Sequence, residues 1–178
     1  MKAKLLTSRQ PLIFNPVPYA LMKNRITIIL TFLLFFFTIQ AETLTGKVVR
    51  IADGDTFTLL VDKKQHRIRL HGIDAPETKG GQAYSQRSKE YLSSMIAGKT
   101  VKVNVKDTDR YGRFIGIVST DKVKDVNLEM IKAGMAWHYS YYDNSPSYKL
   151  AQQQAKKGKK GLWQDPKPIN PYEWRKKR

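Results

Sequence analysis

The fold class this sequence predicts is a five-stranded Greek-key β-barrel of the OB type with about three helices. Three observations lead there. Beyond residue 41 come three short β-rich stretches joined by tight turns. A helical period follows, then two more strands. The remaining helical segments come after the fifth strand. One helix inserted after the third strand of five, and helices after the fifth, suit this small barrel.

Each element has its own reason. "LTGKVVRI" is rich in β-branched residues, "ADGDT" breaks it with an acidic Gly turn, and "TFTLLV" resumes the extended pattern. A turn at Lys63-Lys64 leads into "HRIRLHGI", which alternates with Ile68, Leu70 and Gly72 on one face and Arg67, Arg69 and His71 on the other. Pro76 stops that strand. The spacing of Tyr84, Arg87/Ser88, Tyr91/Leu92 and Met95 predicts a helix over about 82–96, with Gly98 as its end signal. "TVKVNVKDT" alternates strictly, with Val101, Val103 and Val105 inward, and "RFIGIVST" is the fifth strand beyond the "DRYGR" turn. A short helix is predicted over 126–133, closing at Gly134. Ser145 and Pro146 read as N-cap and first residue of another, reaching 157 before Gly158. The Pro-rich, basic tail, 164–178, is expected to lie extended or without fixed structure.

The first 41 residues stand apart from the predicted domain, 42–163. Met22 opens a basic stub with Lys23 and Arg25, an apolar run covers 26–38, and Ile39-Gln40-Ala41 offers a small residue for cleavage. Thirteen residues of helix span about 20 Å against roughly 30 Å of bilayer hydrocarbon, so no stable span is expected. The segment 1–41 reads as a secretory signal, with Met22 the favoured start and Met1 the alternative, an uncleaved anchor being the competing reading. The mature chain is then secreted or periplasmic.

Composition narrows the partner. The chain of 178 residues carries 32 Lys+Arg against 15 Asp+Glu, a formal charge of +17. Cleavage after Ala41 removes five basic residues and no acids, leaving +12. Such an imbalance points to a polyanion, nucleic acid or an anionic membrane surface. The absence of cysteine excludes a disulfide framework, a thiolate metal site and a lipidated N-terminal cysteine.

Against that basic background the acids are concentrated. Asp53 and Asp55 lie in "ADGDT", Asp74 and Glu77 follow Arg69 in "RLHGIDAPE", and Arg113 lies in "DRYGR". Hard divalent cations take several oxygen ligands, which two loops supply better than one. Phosphodiester hydrolysis needs a positioned water, a base to take its proton, and cations to hold charge on the phosphoryl oxygens. These clusters contain all of those parts. Arg69 and Asp74 are five residues apart, an odd offset that nominally sends them to opposite faces of a strand. Only a turn at Gly72 or Ile73 brings them together, and periodicity alone leaves this open.

"VVRIADGDTFTL", "RIRLHGIDAPET", "DRYGR" and "AKKGKKGLW" together resemble the staphylococcal nuclease family, in order and spacing, from Leu44 to Trp163. The resemblance implies an OB-type barrel with helices and calcium-dependent cleavage of DNA and RNA to 3′-phosphate products. Carried over by motif, Asp55 and Asp74 are the calcium carboxylates, with the backbone carbonyl of Ala75 as a further donor. Ala75 replaces the threonine of the best-known member. Asp53 supports the metal site from outside, Glu77 activates or orders the attacking water, and Arg69 and Arg113 clamp the phosphate. Tyr111 and the tyrosines of "WHYSYY", Tyr139, Tyr141 and Tyr142, are candidates to stack on bases, the core-strand alternative for that run being equally open. His71 and His138 have no assigned role. Single-stranded or locally melted substrate and a monomeric chain complete the expectation. The rival is an OB barrel that binds nucleic acid without cleaving it.

Overall fold

The computed structural model describes residues 42–177. The signal and start-site readings, 1–41, lie outside the described residues.

Five strands close a barrel: β1 (Thr43–Ile51), β2 (Thr56–Val61), β3 (Lys64–Leu70), β5 (Thr100–Thr108) and β6 (Phe114–Ser119), in the order β1-β2-β3-β6-β5. All neighbouring pairs are antiparallel except β3 and β6. Register shifts between Val48 and Arg50 and between Val105 and Asp107 bend two strands, as closure of so small a sheet requires. The alternation read in the sequence is the inside–outside alternation of the barrel. Phe57, Leu59, Ile68, Leu70, Val101, Val103 and Val118 fill the interior, each at most 1% exposed. The β2–β3 turn sits on Asp62 and Lys63, both at positive φ, one residue earlier than expected. Val61 pairs directly with Lys64, which forces a two-residue turn.

Three helices pack around the barrel: α1 (Ser85–Ile96), α2 (Val126–Lys132) and α3 (Pro146–Lys157). Leu92 and Ile96 of α1 and Met130 and Ile131 of α2 join the barrel core. Asp125 caps α2 by accepting the Leu128 N–H. Ser145 starts α3 as expected, but its hydroxyl donates to Asp143 and leaves the helix uncapped by a side chain. A two-residue ladder joins β4 (Ile73–Asp74) to β7 (Trp137–His138), pairing Asp74 with Trp137.

The tail corrects the expectation. A 3-10 turn covers Gly161–Gln164, and a fourth helix, α4, covers Pro171–Lys176. Asn170 accepts the Tyr172 N–H, Pro171 occupies the first turn, Glu173 lies near the start, and Arg175 and Lys176 lie near the end. Each of those placements favours a helix. Proline here starts structure where composition suggested that it prevents it. Among the described residues no helix is long and apolar enough to cross a membrane.

Candidate active site

The acidic clusters meet at one end of β2 and β3. Thr56 lies opposite Arg69 in the β2–β3 ladder, so Asp55, one residue before Thr56, lies beside the end of β3. The Asp55 carbonyl accepts the Leu70 N–H at 2.8 Å, fixing the loop to the strand. Gly54 allows the loop to lie flat against α1. A Cβ there would stand 1.9 Å from Ser88 Oγ and 2.8 Å from Ala75 Cβ.

Gly72 resolves the odd offset between Arg69 and Asp74. Its φ of +70° turns the chain out of β3, in a conformation that favours glycine, and redirects Asp74 toward Arg69. Arg69 then bridges both acids. One terminal nitrogen donates to Asp55 Oδ1 at 2.9 Å and the other to Asp74 Oδ1 at 2.7 Å. Asp55 Oδ1 also accepts the Thr56 hydroxyl, and Oδ2 accepts the Ala75 N–H at 3.0 Å. Asp53 Oδ1 accepts the Asp55 N–H.

Electrostatics separate these acids. Burial raises the Asp55 carboxyl, but the Arg69 charge and the hydrogen bond from Ala75 outweigh it, leaving Asp55 below the usual range. Burial pushes Asp53 up to about 7, with the Asp55 charge adding to it. Asp74 is raised by burial despite its arginine partners.

Glu77 lies beyond Pro76. Its backbone N–H donates to Gln82 Oε1, which fixes the loop, and its carboxylate is on the same side as Asp74. One guanidinium touches both: Arg175 of α4 donates to Asp74 Oδ1 at 3.1 Å, Asp74 Oδ2 at 2.9 Å and Glu77 Oε1 at 2.6 Å. Sequence reasoning missed Arg175 because the tail was read as unstructured. The Asn170-Pro171 cap signal could have found it. Gln82, which also donates to the Ile169 carbonyl and so ties the Glu77 loop to the tail, carried no comparable signal.

Arg113 comes from the β5–β6 turn. Parallel pairing of Arg69 with Ile115 puts Arg113 one position beyond the ladder, on the strand face that Arg69 shares. Asp109 holds it, accepting from Nε at 2.7 Å and from the backbone N–H at 3.0 Å. The two terminal nitrogens make no hydrogen bond to any described residue, so Arg113 is aimed but not consumed. Tyr111 lies beside it, 64% exposed, under Arg110 and Arg113.

The "WHYSYY" run divides. Trp137 and His138 are the short strand β7, whereas Tyr141 and Tyr142 are exposed. Tyr139 donates its backbone N–H to the Gly72 carbonyl, and its hydroxyl is raised by burial and by the Asp74 charge. The three tyrosine rings form edge-to-face pairs 4.9–5.0 Å apart. His138 bonds Asp143 and packs on Tyr148, a structural role. His71 Nδ1 is buried without a partner.

The donor set fits a hard divalent cation. Asp55 and Asp74 present carboxylate oxygens from two loops that Arg69 holds together, and the sequence has no cysteine to offer a softer ligand. Among the described residues no three Asp, Glu or His side chains form a metal cluster, so a main-chain carbonyl and water would complete such a shell.

A sequence model of the family described as staphylococcal nuclease homologue matches residues 67–165. The chain is 44% identical over 160 residues to an uncharacterized endonuclease of Haemophilus influenzae, covering 87% of this chain and 88% of that protein. It is 40% identical over 146 residues to an uncharacterized endonuclease of Escherichia coli O157:H7, covering 82% and 94%. A micrococcal nuclease of Shigella flexneri is 37% identical over 141 residues, covering 74% and 80%.

Proposed function

This chain belongs to the staphylococcal nuclease family, and on that premise we propose that it is an exported, calcium-dependent nuclease cleaving DNA and RNA with little sequence preference and leaving 3′-phosphate ends. The reaction class is phosphodiester hydrolysis by a nuclease of this family. One observation carries the proposal: Arg69 holds two buried carboxylates together while Glu77 lies beside them. Binding alone needs no acids facing a phosphate.

In this reading Asp55, Asp74 and the Ala75 carbonyl hold the calcium ion. An ion held there would supply positive charge to the phosphoryl group and would make a bound water more acidic. Glu77 takes a proton from the attacking water, whose oxygen bonds to phosphorus as the bond from phosphorus to the 5′ oxygen breaks. The leaving oxygen takes a proton from solvent. Arg69 and Arg113 donate to the phosphoryl oxygens, and these contacts strengthen as charge develops. Asp109 pre-aims Arg113, so little order is lost when the phosphate arrives.

Exposed Tyr111, Tyr141 and Tyr142, with Tyr139 beside Asp74, supply stacking surfaces that tolerate any base, which favours single-stranded or locally melted substrate. The +12 charge left after signal removal supplies phosphate affinity that falls as salt rises. The protein acts as a monomer, secreted or periplasmic, with the signal 1–41 removed and no stable membrane span.

The test is digestion of single-stranded DNA and RNA with calcium and with excess chelator. Cleavage with calcium and none with chelator is the expected result. Undiminished cleavage in chelator removes the metal assignment. Binding without cleavage in calcium would leave a nucleic-acid-binding barrel.

A further inference from the structure

The C-terminal helix delivers a cation to the two acids on which this reading depends. Its approach is fixed at two points. Gln82 Nε2 donates to the Ile169 carbonyl at 2.8 Å, and Pro168, Ile169 and Trp174 line a small cavity with Pro76, Tyr84 and Trp137. Residues 165–177 are therefore joined to the Glu77 loop through Gln82, whose Oε1 holds the Glu77 N–H. From that base Arg175 occupies both oxygens of Asp74 and one of Glu77.

We infer that Arg175 is a built-in competitor of the active-site metal: carried by the C-terminal helix, it must leave Asp74 and Glu77 before a divalent cation and its water can be bound there. This rests on the reading of Asp74 as a metal ligand and Glu77 as the base. Calcium requires its oxygens at about 2.3–2.6 Å, and a guanidinium hydrogen-bonded to the same oxygens lies on that approach with like charge. The exchange is feasible because the partners differ in exposure. The Arg175 side chain is 37% exposed and regains hydration when it swings into water, whereas Asp74, 2% exposed, is fixed by Arg69 and β4. A metal that binds only the Arg175-out arrangement has its apparent affinity reduced by the fraction of time the arginine is in.

The experiment is calorimetric titration of calcium chloride into the parent protein, Arg175→Gln and Arg175→Lys, each melted in chelator to verify folding. Arg175→Gln should bind calcium about three- to tenfold more tightly, since the two ion pairs of a partly exposed guanidinium no longer compete. Arg175→Lys, which keeps the charge but not the two-pronged contact, should fall between. The calcium needed for half-maximal cleavage of single-stranded DNA should shift in parallel. Equal or weaker calcium binding by Arg175→Gln, with clear binding by the parent, overturns the inference and leaves the metal site standing. Unchanged calcium affinity with weakened DNA binding also overturns it, making Arg175 a phosphate contact instead. Absence of calcium binding in every protein removes the metal reading, and the inference with it.

Discussion

The floor and the rim of the candidate site are built differently. On the floor, Asp55, Arg69 and Asp74 hold one another, with side chains 5%, 16% and 2% exposed. On the rim, Arg113 is held by an acid four residues away in its own turn, and Tyr111, Tyr141 and Tyr142 project into solvent. In the proposed reading, floor residues carry folding and chemistry together. Rim residues are positioned locally, so chemistry can be removed from them while the fold remains. Mutations that separate these two behaviours are the way to test the contrast.

The largest effect belongs to Arg69→Ala. It strips two buried carboxylates of a shared partner, and one uncompensated buried charge alone costs about 3–5 kcal/mol. Denaturant unfolding in chelator should show that loss, and calcium, if it fills the gap, should restore part of it. An unchanged midpoint would mean that the floor is not held by its ion pairs. Arg113→Ala should behave in the opposite way. Its pair with Asp109, side chains 19% and 15% exposed, is local to one turn and contributes about 1–3 kcal/mol to stability, less than the shared floor network. Loss of a pre-aimed charge stabiliser typically lowers turnover on the order of 10²-fold or more. Equal losses in stability and rate would erase the distinction between floor and rim. The smallest effect is that of Tyr141→Ala. At 81% exposure it should leave the melting temperature alone and weaken binding of single-stranded oligonucleotides by about 1–3 kcal/mol if the ring stacks on a base. Fluorescence titration reads this directly.

Much of the floor was legible in the sequence, because Asp55, Arg69, Asp74 and Glu77 lie in short motifs next to strands whose alternation is strict. Their convergence was not, since the five-residue offset between Arg69 and Asp74 argues against it. It depends on the positive φ of Gly72, which periodicity does not encode. The barrel was readable for the same reason as the motifs: Val101 and Val103, like Ile68 and Leu70, alternate because one face is dry. Contacts between distant segments were hidden. Gln82 reaching Ile169 and Arg175 reaching Asp74 span 87 and 101 residues, and neither leaves a local pattern. The tail was misread because composition outweighed its cap signals, Asn170 and Pro171.

The central claim is that metal-holding acids and phosphate-holding arginines act side by side, with Glu77 as the base between them. Single-turnover cleavage of DNA by Glu77→Gln at saturating calcium, with DNA affinity measured on the same protein, tests it most directly. Glutamine keeps the side chain's shape and can still accept from Arg175, so the protein should fold. It should bind DNA as well as the parent or more tightly, having lost a negative charge facing the phosphate. Cleavage should fall on the order of 10²-fold or more. Cleavage at the parental rate would contradict the account.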